Sequence, residues 1–291
     1  MKKSYFLAGT AILFWSTVAT VSKLLLGTLN NFQLLWASSF FAGMFLLVVN
    51  ILTKNIKKLK GYTLKDYIIS ACIGFPGAFM YYAFYYMGTD ILPASQAFII
   101  NYMWPIMSVV FAWIILKEKM TLKKGVAIFI SFLGVGIVTG GEISNFSHDM
   151  LFGAVCCLLG AASYGIFTAL NQKFSYDKPI SMMINYFVTF TVTTIINLIN
   201  GNLFIPSGIE ALGFAWNGIF TIAVANTAWT MALESGKTAK ISNLAYITPF
   251  MSLVWTSLIL KEQISVYSIL GLFVIILGIL IQLKDKSKTE K

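Results

Sequence analysis

Asn101, Trp104, Pro105 and Ser108 follow one another at i, i+3, i+4 and i+7, so a helix through them presents all four on one face. Ala245, Thr248, Pro249 and Ser252 repeat that spacing later in the chain, and Tyr102 and Tyr246 stand near the two prolines. Further aromatic and amide side chains gather in other apolar stretches: Trp15 with Ser16 and Thr17, Tyr81 and Tyr82, Tyr164 with Asn171, and Asn226 with Trp229 and Thr230. Tyrosine and tryptophan offer an apolar ring face and one hydrogen-bonding tip, and a ring face also holds a cation. The chemistry these residues support is noncovalent binding of a planar or amphipathic solute. A phosphorylated sugar needs cationic forks instead. Catalysis is not expected. The sole histidine, His148, falls in a predicted outer loop, and no paired carboxylates, nucleophile–base set or metal-ligand spacing occurs in the apolar stretches. The sequence therefore predicts neither enzyme, cofactor nor metal.

The elements that carry these residues are membrane spans. The chain is 58% hydrophobic and 11% charged, with mean hydropathy +0.79, far from the charge content of a soluble domain. A spanning helix needs about 20 mainly apolar residues. Ten such runs are read at roughly Ser4–Leu26, Phe32–Leu52, Asp66–Met87, Pro93–Leu116, Thr121–Thr139, Met150–Asn171, Ser181–Asn200, Ala211–Leu233, Thr238–Leu260 and Ser265–Leu283. They leave only short connections and no room for a soluble domain. The first run is kept as a helix rather than a signal peptide, because it is long and another span follows at once. Cys72, Cys156 and Cys157 all fall within spans and read as small packing residues.

The net charge of +10 comes wholly from lysine on the basic side. With a cytoplasmic amino terminus, every lysine except Lys23 and Lys261 falls on the cytoplasmic side of the predicted spans. This positive-inside pattern places both termini in the cytoplasm and argues against a nucleic-acid partner. The expected localisation is the cytoplasmic membrane, with the bilayer and a small molecule as partners and a monomer as the expected state. Lys23, near the outer end of the first span, is expected to snorkel to the headgroups. No acidic residue remains near mid-bilayer. Glu118 and Glu262 are expected at the amino ends of the fifth and tenth helices, where Thr121 and Ser265 serve as N-caps. Tyr85, Tyr86 and Trp36, near span ends, read as packing or interfacial-belt residues.

The sequence also repeats itself. Tyr102–Glu118 aligns without a gap on Tyr246–Glu262, with nine of seventeen positions identical, Pro105 and Pro249 among them. The expected organisation is a five-helix unit at 1–144 and a second at 145–291, joined near the polar Gly140–Asp149 loop. An odd number of helices per unit makes the second inverted. Each proline frees a backbone carbonyl four residues earlier, at Asn101 and Ala245. Paired interrupted helices in corresponding positions point to a central binding site; the alternative is a kink that only aids packing.

Leu13–Thr17, Asn101–Pro105, Ala228-Trp229 and Tyr246–Pro249 are the motifs by which the chain resembles the ten-helix drug/metabolite transporter superfamily, EamA-type exporters, and most of all the bacterial aromatic amino acid exporters. The resemblance implies an all-α basket in which helices one, three, four, six, eight and nine surround a cavity. It implies export of aromatic or other neutral amino acids by alternating access, the alternative being efflux of planar aromatic cations. The expected substrate-binding residues are Trp15, Tyr81, Tyr82, Asn101, Tyr102, Trp104, Tyr164, Asn226, Trp229 and Tyr246.

Overall fold

The computed structural model describes residues 2–140, 147–174, 177–234 and 244–283. Ten apolar helices run through them: α1 Lys2–Leu26, α2 Asn31–Leu52, α3 Leu64–Ile91, α4 Ala94–Leu116, α5 Leu122–Gly140, α6 His148–Lys173, α7 Lys178–Ile199, α8 Gly208–Ala232, α9 Ile247–Ile259 and α10 Val266–Leu283. Among the described residues, all but α9 are long and apolar enough to cross a bilayer. The predicted ninth span and much of the predicted Gly140–Asp149 connector include residues outside the described ones. The protein is an all-α, multi-pass membrane protein. Large apolar side chains such as Phe129, Leu133, Phe273 and Leu277 point outward, as helices solvated by lipid require.

Local chemistry sets the helix ends. Asn30 and Gln33 form a capping box before α2, and Ser207 and Glu210 form another before α8. Asp177 accepts from the Ile180 amide and leads into α7, where Pro179 occupies the first turn. Thr121 accepts from the Lys124 amide, as an N-cap of α5 should. The carboxyl ends of α4 and α9 lead to lysines in the left-handed region, Lys117 at φ 59° and Lys261 at φ 58°. His148 departs from its expected loop. Ser147 caps the Met150 amide, and helix α6 begins at His148 itself.

Two further expectations are corrected at helix ends. Lys23 does not snorkel: its Nζ donates to the carbonyls of Thr89, Asp90 and Leu92 at 2.7, 2.9 and 2.8 Å. These lie at the carboxyl end of α3, where carbonyls lack intrahelical donors, so the ammonium finds acceptors within the protein. Glu262 sits at the amino end of α4 rather than α10, accepting from the amides of Ala94 and Ser95 at 2.7 and 3.0 Å. Glu118 meets Lys124 at 3.4 Å on the surface.

Helix packing pairs off in a way that follows the sequence repeat. α6 lies against α3 and α4, while α1 lies against α8 and α9; α2 packs on α7, and α5 on α10. The contact between α2 and α7 is reciprocal. Asn50 at the end of α2 donates to the Pro179 carbonyl at the start of α7, and Asn197 at the end of α7 donates to the Phe32 carbonyl at the start of α2. The two helices are therefore antiparallel, and the same sequence offset relates Asn50 to Asn197 and Phe32 to Pro179. A self-complementary contact of this kind is what a two-fold relation generates.

The interruptions also come in pairs. α3 widens into a π-helical turn at Phe75–Met80, and α8 does so at Trp216–Val224. α4 breaks between Asn101 and Trp104, and a turn at Ala245 and Tyr246 precedes α9. Such breaks and π-turns are tolerated at membrane depth where neighbouring protein satisfies the backbone.

Candidate functional site

The two α4 segments meet at Tyr102 and Met103. The bond missing at Pro105 lets the chain re-aim there, so that Asn101, Tyr102 and Trp104 project from successive parts of the break. α6 comes close enough to face them because it is small at the contact. A Cβ built on Gly165 would lie 2.6 Å from the Met107 backbone, so any larger residue would push α6 away from α4.

Between these helices lies a cavity. α1 supplies Trp15 and Val18 to its wall, and α3 supplies Tyr81 and Tyr82. The α4 break contributes Phe98, Asn101, Tyr102 and Trp104, and α6 contributes Tyr164. Thr221 and Asn226 come from α8; Ala245 and Thr248 come from the turn and first residues of α9. The wall is thus drawn from the first, third, fourth, sixth, eighth and ninth helices. No acidic or basic side chain lines it among the described residues.

The rings are close enough to order one another. Tyr164 lies 5.2 Å from both Tyr81 and Trp104, edge-on to the latter at 73°. Tyr81 packs edge-on against Tyr82 at 4.7 Å. Asn101 holds this group to the break through its Nδ2, which donates to the Tyr81 hydroxyl at 2.9 Å. Tyr102 reaches across the bundle and donates to the Ala245 carbonyl at 2.5 Å. The result is a ring-lined, uncharged chamber with a few fixed hydrogen-bonding groups, suited to an aromatic or amphipathic solute.

Eight of the ten residues expected from sequence line this cavity: Trp15, Tyr81, Tyr82, Asn101, Tyr102, Trp104, Tyr164 and Asn226. Trp229 and Tyr246 do not. Trp229 packs with its ring 5.3 Å from that of Trp15, and Tyr246 packs beside the core while its neighbour Ala245 faces the cavity. Tyr85 and Tyr86 prove to be packing residues, fully buried, with Asn217 donating to the Tyr86 hydroxyl at 2.8 Å. Trp36 is likewise engaged inside the bundle, donating from Nε1 to Thr194 at 2.8 Å. Val18 and Phe98 were missed, although each lies three residues from a named wall residue and was within reach of helical spacing. Thr221 had no such signal, because the π-turn of α8 shifts the phase of that face.

Comparison with known proteins agrees with this architecture. A solved crystal structure superposes with a TM-score of 0.67 at 17% identity, covering 97% of this chain and 96% of its own, which establishes the shared fold. An uncharacterized transporter of Archaeoglobus fulgidus is 25% identical over 98% of this chain and its own full length. The uncharacterized transporter YvbV of Bacillus subtilis is 24% identical over 84% of this chain and 80% of its own. The aromatic amino acid exporter YddG of Ancylobacter novellus is 22% identical over 84% of each chain. The sequence profile of the EamA-like transporter family matches two successive stretches, residues 2–140 and 151–283. The chain is a transporter rather than an enzyme, with the lipid bilayer and a small-molecule substrate as its partners, and it belongs to the EamA-like transporter family.

Proposed function

We propose that this protein exports aromatic or other neutral amino acids across the cytoplasmic membrane by alternating access. The observation that carries the reading is the uncharged, ring-lined cavity at the paired breaks of α4 and α9. Trp15, Tyr81, Tyr82, Tyr102, Trp104 and Tyr164 stack against the solute, and Asn101 and Asn226 supply polar contacts. Trp229 packs on Trp15 and Tyr246 adjoins Ala245, beside the lining residues. The chain works as two inverted five-helix units, 1–144 and 145–291, with both termini cytoplasmic. The reciprocal contacts of α2 with α7, and the lysine-rich connections on one side, support that arrangement. The residues that line the cavity all come from one chain, so a monomer suffices.

The absence of a carboxylate from the described cavity wall favours facilitated efflux, or coupling through solute charge, over a dedicated proton relay. The test is uptake of labelled tryptophan into proteoliposomes, with a quaternary aromatic cation as competitor. Saturable tryptophan flux without an obligatory pH gradient is expected. Transport of the cation alone would replace the reading with multidrug efflux, and no flux of either would remove it.

A further inference from the structure

We infer that Lys23 and Glu262 form a latch that closes the cavity on the face where α1 ends, and that releasing it opens the cavity to that face. The inference rests on the transport reading above. α3 and α4 are joined by a tight connection at Leu92 and Pro93, so the carboxyl end of one helix lies beside the amino end of the other. A helix finishes on carbonyls that lack donors and starts on amides that lack acceptors, and these ends carry opposite partial charges.

The hairpin is gripped at both ends. Lys23 of α1 binds three carbonyls of the α3 terminus, at Thr89, Asp90 and Leu92. Glu262, beyond α9, places one carboxylate oxygen on the Ala94 amide and the other on the Ser95 amide. A cation therefore holds the negative end and an anion the positive end, and the two come from opposite halves of the chain. α1 and α9 are themselves tied where Trp255 Nε1 donates to the Ser16 hydroxyl at 3.0 Å. The α3–α4 hairpin is thus the piece clasped against a joined pair.

The latch lies beyond the cavity. Lys23 is about 7.5 Å along α1 from Val18, and Ala94 about 12 Å along α4 from Tyr102, at 1.5 Å per residue. Leu92 and Ala94 are buried there.

The test uses the full chain in oriented membrane vesicles, with Val18→Cys as reporter in a Cys72→Ser background and a membrane-impermeant maleimide applied to each face separately. Lys23→Met and Glu262→Gln each release a different end of the hairpin. Either should raise labelling from the Lys23 face at least tenfold and lower it from the other face, with the double variant adding little. Thermal unfolding of each purified variant checks that it is folded, and either variant alone is sufficient. Unchanged labelling in a folded variant would overturn the latch. A reporter that reacts from neither face in any variant would instead overturn the central cavity, and the latch with it.

Discussion

The Tyr102 hydroxyl donates to the Ala245 carbonyl, so the side chain at the break in α4 satisfies the backbone at the break before α9. Pro249 has no amide hydrogen to offer the carbonyl four residues earlier. Ala245 keeps one backbone donor, the Thr248 amide at 2.9 Å, and Tyr102 supplies the second. The interruption in one half of the chain is in this way completed by the other.

Tyr102→Phe should therefore cost only one hydrogen bond, about 0.5–1.5 kcal/mol of stability, while changing the cavity wall at the point where the two breaks meet. We expect a small fall in the thermal midpoint of the purified protein and a larger proportional fall in tryptophan flux. Equal stability and equal flux in the variant would show that the bond contributes to neither.

Trp104 and Tyr164 meet edge to face from α4 and α6, and both line the cavity. Aromatic pairs of this kind contribute about 0.5–1.5 kcal/mol beyond burial, and an added solute ring would extend the stack. Trp104→Ala should weaken apparent affinity for tryptophan about threefold to tenfold or more, with alanine flux affected less. Measured by competition in proteoliposomes, equal losses for both solutes would assign Trp104 to packing alone.

The sequence carried this site unevenly. Asn101, Tyr102 and Trp104 were legible because proline breaks one helix at a fixed place and the break recurs at Pro249. Tyr164 and Trp15 stood out as ring side chains beside polar residues within apolar stretches. Trp229 and Tyr246 fall outside the lining, because a residue's presence on a helix face does not fix where its ring ends; the Trp229 ring packs 5.3 Å from that of Trp15. Thr221 stayed hidden behind the α8 π-turn, which composition does not announce. Lys23 and Glu262 were read against water and their own helices, whereas their partners belong to helix ends far away in sequence. The span assignments needed only apolar length, which the bilayer imposes.

Asn50 and Asn197 close the two ends of the α2–α7 contact. Each is nearly inaccessible, at 0% and 1% exposure, so removing either amide deletes one part-buried hydrogen bond between the helices. Asn50→Ala and Asn197→Ala should each cost about 0.5–1.5 kcal/mol. They sit at opposite ends of a 22-residue helix pair, too far apart to share partners, so the double variant should show the sum within about 0.5 kcal/mol. Strong non-additivity in chemical denaturation would mean that the two ends are coupled through a shift of the whole helix pair.

The α5–α10 contact depends on the absence of side chains, and neighbouring glycines separate that effect from helix propensity. A Cβ at Gly278 would lie 2.2 Å from the Ser131 hydroxyl and 2.7 Å from the Ala127 carbonyl, and one at Gly134 would lie 2.8 Å from the Gly271 carbonyl. A Cβ at Gly136 meets nothing within 4 Å. Alanine is favoured over glycine in a helix by about 0.8–1.0 kcal/mol, whereas forcing atoms into a packed contact costs about 1–3 kcal/mol. Gly136→Ala should then leave the thermal midpoint unchanged or raise it. Gly134→Ala and Gly278→Ala should lower it, because backbone carbonyls cannot swing aside as a side chain could. If all three substitutions moved the midpoint in the same direction, propensity rather than close approach would govern these positions, and α5 and α10 would have to be packed less tightly than their glycines indicate.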